Sequence, residues 1–438
     1  MIYNEKIETM SRGDMRALQL KKLKKIVKLA YESVPLYKKK YDAAGVKPSD
    51  IKCLEDISKL PFVTKDDLRE NYPYGMLAVP TSGLSRLHAS SGTSGKPTVV
   101  AYTKKDLDMW TECVARLIVA AGGTKDDIVQ ICFGYGLFTG ALGLHQGWEK
   151  LGATVIPASS GNTERQLMLM KDLKATALVS TPSYGLYLAE MMEKLGYKPE
   201  DFKLRIGLFG SEASSDEMHR ELARKLHVLP TDNYGLSELI GPGVSGECEH
   251  KCGMHINDDH FYAEIVDPAS LKPADVSEYG ELVLTALTKE AMPMIRYRTK
   301  DITRLDYNTC KCGRTSVRME KLRGRTDDML VIRGVNVFPT QIEEVLLKFT
   351  NEIGNSYEII VTRENFRDEL EVRVEPVSAD ILGDYGKLEM LVSKLKVAIK
   401  HMLQLDVSVR LVEPMSLKRF EGKAKRVTDL RKYTADGR

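Results

Sequence analysis

Apolar positions along the chain change their period three times. Over residues 15–41 they recur at helical spacing, and Leu23, Ile26 and Val27 at i, i+3 and i+4 mark one face. The lysines interleaved with them between 21 and 28 therefore read as the solvated side of that helix. Thr64 followed by Asp67 spells a capping box, so a second helix starts there. From 85 to 300, short apolar runs (128–133, 153–157, 177–180, 206–209) alternate with helical patterns such as 163–173 and 183–194. That rhythm is the βαβ signature of a parallel sheet with helices on its faces. Residues 227–229 are one more strand candidate, and 261–304 turn strand-rich, as in GELVLTAL. Beyond about residue 325 the pattern restarts: EIIVTR, DELEVRVEP and VSVRLVEP alternate like strands and flank helices at 341–349 and 386–403. The expectation is an α/β fold. A large N-terminal domain, 1–327, has mostly parallel sheets flanked by helices plus a small strand-rich subdomain; a small α+β C-terminal domain, 328–438, follows.

Composition removes several function classes. The 438 residues hold 64 Lys+Arg against 61 Asp+Glu, so no global charge pulls the chain towards nucleic acid. With 43% hydrophobic and 29% charged residues, a disordered or collagen-like chain is excluded. The N-terminus is charged throughout, without the apolar core of a signal peptide. Residues 128–148 lack charge but hold five glycines, two glutamines and His145, too uneven for a membrane span. They read as a buried strand, a Gly-rich loop and a helix start. Seven scattered cysteines, an odd number, point to a reducing, cytoplasmic setting.

Five short blocks carry candidate chemistry. Ser90, Ser91, Gly92, Thr93, Ser94, Gly95 and Lys96 form a loop dense in backbone and hydroxyl donors, suited to a polyphosphate. It is no Walker A loop, because Ser stands at 90 and Pro97 follows Lys96. In Asn233-Tyr234-Gly235-Leu236-Ser237-Glu238 a tyrosine can stack on a purine and a glutamate can take Mg²⁺; a loop before a helix explains the same letters equally well. Asp301 in YRTKD can accept from two ribose hydroxyls, or simply end a strand. Gly324-Arg325-Thr326-Asp327-Asp328 and Gly422-Lys423-Ala424 complete the set, the latter reading otherwise as a basic solvated tail.

In this order and spacing the blocks resemble those of the adenylate-forming enzymes: acyl-CoA synthetases, peptide-synthetase adenylation domains and luciferases. The phenylacetate–CoA ligase branch is most similar, through SSGTSGKPTVVAYTKKDLDMW, GYGLFTGALGLHQGWEKLGATVIP, TKEAMPMIRYRTKDITRL and GRTDDMLVIRGVNVFPTQIE. The resemblance runs from about residue 10 to the end and implies ATP, Mg²⁺ and coenzyme A as cosubstrates and cofactor. It implies that residues 90–96 wrap the phosphates, that Ser211, Glu212 and Ala213 meet adenine beside Asn233, Tyr234 and Gly235, and that Glu238 binds Mg²⁺. It further implies Asp301 on the ribose, Arg325 near the nucleotide, Asp327 as the hinge of a mobile C-terminal domain, and Lys423 bridging carboxylate and α-phosphate. The acid would sit by Tyr135, Gly136, Phe138 and Gly140, where glycines leave room and aromatics can stack on an aryl ring; core packing is the plainer reading of those four.

The implied activity is AMP-forming ligation of an aryl or arylacetic acid to coenzyme A through an acyl-adenylate. The alternatives are an adenylating enzyme serving a carrier protein or another acceptor, and a non-catalytic nucleotide-binding protein on the same fold. Nucleic acid and membrane are not expected partners, and a homodimer is raised by the resemblance only. Separately, Cys248, His255, Cys310 and Cys312 are the favoured ligands of a structural Cys₃His zinc site, with His250 and Cys252 as alternates and free thiols as the competing reading.

Overall fold

The computed structural model describes residues 1–90, 97–275, 277–333, 335–364, 367–420 and 424–431. The helical stretch expected over 15–41 is two helices, Arg12–Ser33 and Pro35–Ala43. Pro35 lacks an N–H and pushes Val34 to φ −115°, ψ 113°, so one helix stops and the next opens on the proline. Leu23, Ile26 and Val27 are buried, as their spacing requires. Thr64 caps Lys65–Glu70 reciprocally with Asp67.

The described residues fall into two compact units. The first comprises Met1–Thr181, Lys198–Ser211 and His227–Lys321. In it, β1 (Arg86–Ser90) pairs antiparallel with β2 (Thr98–Tyr102). Five strands follow: β3 (Ile128–Ile131), β4 (Thr154–Ile156), β5 (Ala177–Ser180), β6 (Ile206–Gly210) and β7 (Leu229–Leu236). They run parallel in the order β4-β3-β5-β6-β7. Every residue of β5 and β6 is buried, which is why these runs are continuously apolar instead of alternating.

At β7 the topology changes. β8 (Gly241–Glu247) returns antiparallel to it, and β9 (Met254–Ile256) pairs with β8. β10 (Phe261–Val266), β11 (Gly280–Ala286) and β12 (Tyr297–Thr303) form a separate antiparallel sheet. β13 (Leu305–Asp306) and β14 (Arg318–Met319) then complete the first sheet beyond β9. The strand candidate 227–229 is therefore much longer than its apolar letters suggest. Asn233, Tyr234 and Gly235 lie inside β7, and the turn after it leads to a strand, not a helix. Gly235 makes this possible: a Cβ there would lie 1.7 Å from the carbonyl oxygen of Gly241.

The second unit comprises Pro182–Tyr197, Glu212–Leu226 and Leu322–Arg438. Its sheet is a hairpin, Ile353–Glu364 with Arg367–Pro376, flanked by the parallel strands Ser408–Leu411 and Val427–Asp429. Leu370, Val372 and Val374 alternate into a core that also takes Ile342, Leu395 and Ile399 from the helices Pro339–Leu346 and Tyr385–Leu403. Asp384 caps the longer helix by accepting from Lys387 N. None of the described helices is long and apolar enough to cross a membrane. All seven cysteines are outside disulfides.

Candidate active site

Where parallel pairing gives way to antiparallel, a cleft opens. Phe133, Phe138, Thr139, Gly140 and Leu144 line one part of it; Ser211, Asn233, Gly235, Ser237, Gly241 and Pro242 line the rest. Phe138 and Gly140, expected on the acid side, thus face the same space as Ser211, Asn233 and Gly235, expected on the nucleotide side. The helix Thr139–Leu151 starts at this cleft, and the N–H groups of its first turn favour negative charge there. Thr139 Oγ1 and Ser237 Oγ hydrogen-bond at 3.0 Å, tying that helix to the turn after β7. Asn233 is fixed by donating from Nδ2 to Phe209 O at 2.7 Å. Tyr135 is held differently. Its hydroxyl meets His145 Nδ1 at 2.9 Å, while His145 Nε2 lies 3.0 Å from Glu149. Gly136 has open space where a Cβ would stand.

Glu238 is buried, with Oε1 3.6 Å from Lys65 Nζ. Beneath it lies Lys289, fully buried, which donates to Glu238 O at 3.1 Å and sits 4.7 Å from the centre of the Tyr102 ring. Burial pulls the Lys289 ammonium down to about 8, against the opposing pull of Asp106 and Glu238. Tyr102 supports the same turn by donating to Ser237 O at 3.3 Å. Tyr234 donates to Asp301 Oδ2 at 2.6 Å, joining the second and third sequence blocks. Lys65 and Lys289 were not anticipated from the sequence. Lys289 stands between Thr288 and Glu290 just after β11, polar neighbours that give no sign of its burial. Lys65 had no signal beyond its place at a helix start.

In the second unit Glu212 Oε2 accepts from Ser183 Oγ at 2.6 Å, and its other oxygen accepts from Ala424 N. Ala213 stands between it and the helix Asp216–Leu226. Arg325 grips Asp327 with two donors, Nε at 2.8 Å and Nη2 at 3.0 Å, and so orders the block named as a hinge. Ser90 ends β1. Ser91, Gly92, Thr93, Ser94, Gly95, Lys96 and Lys423 lie outside the described residues.

A second cluster forms where β9 and β14 meet. One donor atom from each of Cys248, His255, Cys310 and Cys312 lies within 4.8 Å of the other three. Cys248 and Cys310 sulfurs are 3.8 Å apart, and Cys312 Sγ is 3.4 Å from His255 Nε2. Tetrahedral zinc with ordinary Zn–S and Zn–N lengths requires about 3.8 Å between sulfurs and about 3.6 Å from sulfur to nitrogen. His255 Nδ1 meets Ser316 Oγ at 3.0 Å; donation from Nδ1 leaves the Nε2 lone pair facing the thiols. His250 and Cys252 are exposed and stand outside the cluster; Cys252 Sγ meets His250 O at 3.2 Å.

Comparison with known proteins places these features in a family. Residues 84–287 match the AMP-binding enzymes and residues 334–431 match the AMP-binding enzyme C-terminal domain. The chain is 49% identical to a phenylacetate-coenzyme A ligase of Pseudomonas putida over 97% of this chain and 96% of that one. It is 48% identical to the ligase of the same name from Escherichia coli strain K12 over 98% and 99%. Its structure is similar to that of a 2-hydroxyisobutyryl-CoA ligase crystallised in the postadenylation state with 2-HIB-AMP, with a TM-score of 0.92, 29% identity and coverage of 98% and 92%. The chain belongs to the phenylacetate–coenzyme A ligase branch of the adenylate-forming enzymes, the AMP-forming acyl-CoA ligases.

Proposed function

We propose that this enzyme joins an arylacetic acid, phenylacetate first among them, to coenzyme A at the expense of ATP. The observation behind this reading is the single cleft shared by Phe138 and Gly140 with Ser211, Asn233 and Gly235, next to the buried Glu238. Phenylacetate-coenzyme A ligases at 46–49% identity support the acid, and a relative crystallised with its acyl-AMP supports the intermediate.

In the first half-reaction the carboxylate oxygen attacks the α-phosphorus of ATP, forming acyl-AMP and releasing pyrophosphate. In the second the coenzyme A thiolate attacks the acyl carbonyl, forming the thioester and releasing AMP. Neither step needs a nucleophile from the protein, so catalysis is positioning and charge stabilisation. Residues 90–96 would hold the phosphates, Ser211, Glu212, Ala213 and Tyr234 the adenine, Asp301 the ribose, and Arg325 would approach the nucleotide. Lys423 would bridge the acid and the α-phosphate during adenylation only, the segment 328–438 turning about Asp327 between the steps. Glu238 suits Mg²⁺ because its carboxylate supplies the hard oxygen ligand this cation takes, with the ammonium of Lys65, 3.6 Å away, as the charge the ion would displace. Bound there with the phosphates, Mg²⁺ supplies neutralisation of their charge. The four donors at Cys248, His255, Cys310 and Cys312 suit a closed, structural zinc. A cytoplasmic enzyme and a homodimer complete the reading.

The test is pyrophosphate release across phenylacetate, indole-3-acetate, benzoate and short fatty acids, followed by coenzyme A or a carrier protein as acceptor. The highest kcat/KM is expected for phenylacetate with coenzyme A. Release with none of the acids would favour a non-catalytic nucleotide-binding protein, and transfer to the carrier alone would replace coenzyme A as acceptor.

A further inference from the structure

A ring that only stacks on a purine has no need of its hydroxyl, yet Tyr234 uses its own to hold Asp301. The O–H···O distance is 2.6 Å, and the two side chains are 7% and 2% exposed. They come from different sheets, Tyr234 from β7 and Asp301 from β12. A bulge turns the aspartate towards β7. Glu281 pairs with Ile302, but Val283 already pairs with Arg298, so β12 carries extra residues between the two pairs. Inside the bulge Lys300 takes φ +68°, a left-handed conformation that a lysine holds only when its surroundings impose it. Thr299 Oγ1 imposes it from both sides, donating to Leu282 O at 2.7 Å and accepting from Asp301 N at 3.1 Å.

We infer that Tyr234 is a positioning residue whose hydroxyl, together with the bulge at 299–301, fixes the Asp301 carboxylate to read the ribose hydroxyls and so sets preference for ribonucleotide over deoxyribonucleotide. This rests on the reading of Asp301 as the ribose acceptor. An ionised carboxylate has about four acceptor positions, of which the tyrosine takes one. A buried acceptor built for a hydroxyl penalises an analogue that lacks it, because the acceptor is left unpaired. That penalty is largest when the carboxylate cannot swing away to another partner, and Tyr234 and the bulge remove that freedom.

The experiment is calorimetric titration of ATP, 2′-deoxy-ATP and 3′-deoxy-ATP into wild type, Tyr234→Phe, Thr299→Val and Asp301→Asn, without acid, so that the choice of acid has no bearing. Wild type is expected to favour ATP over at least one deoxy analogue by about tenfold or more. Asp301→Asn should bring that ratio to within about twofold of unity. Tyr234→Phe keeps the ring and should lower the ratio by about threefold or more, with Thr299→Val moving it the same way. A wild-type ratio in Tyr234→Phe, or equal weakening of all three nucleotides, would overturn the inference while a collapsed ratio in Asp301→Asn left the ribose reading standing. A wild-type ratio in Asp301→Asn would remove both.

Discussion

Two places in the first unit join residues far apart in the chain, by opposite means. Around the turn after β7 the joints are single hydrogen bonds over buried charge. Lys289 lies under Glu238, Tyr102 under Ser237, and Tyr234 reaches across to Asp301. At the β9–β14 edge four soft donors stand at the spacing of one tetrahedral ion. The loop around them also ties down the N-terminal segment. Arg314 donates to Met1 O at 2.8 Å, and Thr315 donates to Glu8 O at 3.0 Å and Met10 O at 2.7 Å. The first region spreads its cohesion over many weak contacts beside the cleft; the second concentrates it in one point. Chemistry and stability should therefore separate between them.

The largest effect is expected at the cysteine–histidine edge. Binding of a structural zinc contributes about 10–16 kcal/mol in small peptides, comparable with the whole stability of a domain. Cys310→Ser should drop zinc from about one equivalent to under about a tenth, and lower the melting temperature by about 10 °C or more. Metal analysis and thermal denaturation check both. Unchanged melting with zinc absent from wild type would make the three cysteines ordinary thiols and dissolve the contrast.

Next comes Glu238→Gln, which should cut acid-dependent pyrophosphate release about 10²- to 10³-fold, or about 3–4 kcal/mol of barrier. The contrast requires its melting temperature to stay within about 3 °C of wild type. Equal losses of activity and stability would mean that the turn after β7 is a structural joint as much as a chemical one.

Much of this was legible in the letters, for definable reasons. Period-2 alternation in DELEVRVEP and continuous burial at 177–180 and 206–209 report local environment directly, and strands formed there. The order of the blocks was enough to nominate Glu238, Tyr234 and Asp301. What pattern could not show was how they meet. Only the start of β7 was legible, because Pro-Thr-Asp-Asn-Tyr-Gly is polar and broken by proline and glycine, yet the segment is largely buried. Its backbone is enforced by β6 on one side and β8 on the other. Lys65 and Lys289 reach Glu238 from 173 and 51 positions away, separations at which periodicity carries no information. The cysteines were nominated by loop composition; their convergence depends on the register Arg318↔His255, a long-range pairing.

Lys289 offers a finer measure of the first region, through pH. Burial holds its ammonium at about 8, below the ordinary 10.5. Between those values the unfolded chain binds a proton that the folded chain has released, so this group makes stability rise with pH across that window. Relative to Lys289→Met, wild type should gain about 3 kcal/mol from pH 8 to 10.5. Urea unfolding of both proteins across this range checks the slope. Parallel curves would mean that Tyr102 and the Glu238 carbonyl compensate the buried charge fully.

The smallest effect is expected at Cys252, and it sharpens the second region most. Cys252 lies four residues after Cys248 and is exposed, outside the group of four donors. Loss of an exposed side chain away from such a group shifts stability by no more than about 0.5 kcal/mol. Cys252→Ser should therefore keep about one equivalent of zinc and melt with wild type, while Cys248→Ser should lose the metal as Cys310→Ser does. If Cys252→Ser lost zinc instead, the thiol would have to replace one of the four present donors. The pairing of β9 with β14 would then no longer dictate the ligand set, and the edge would be a pliable loop that closes around its ion.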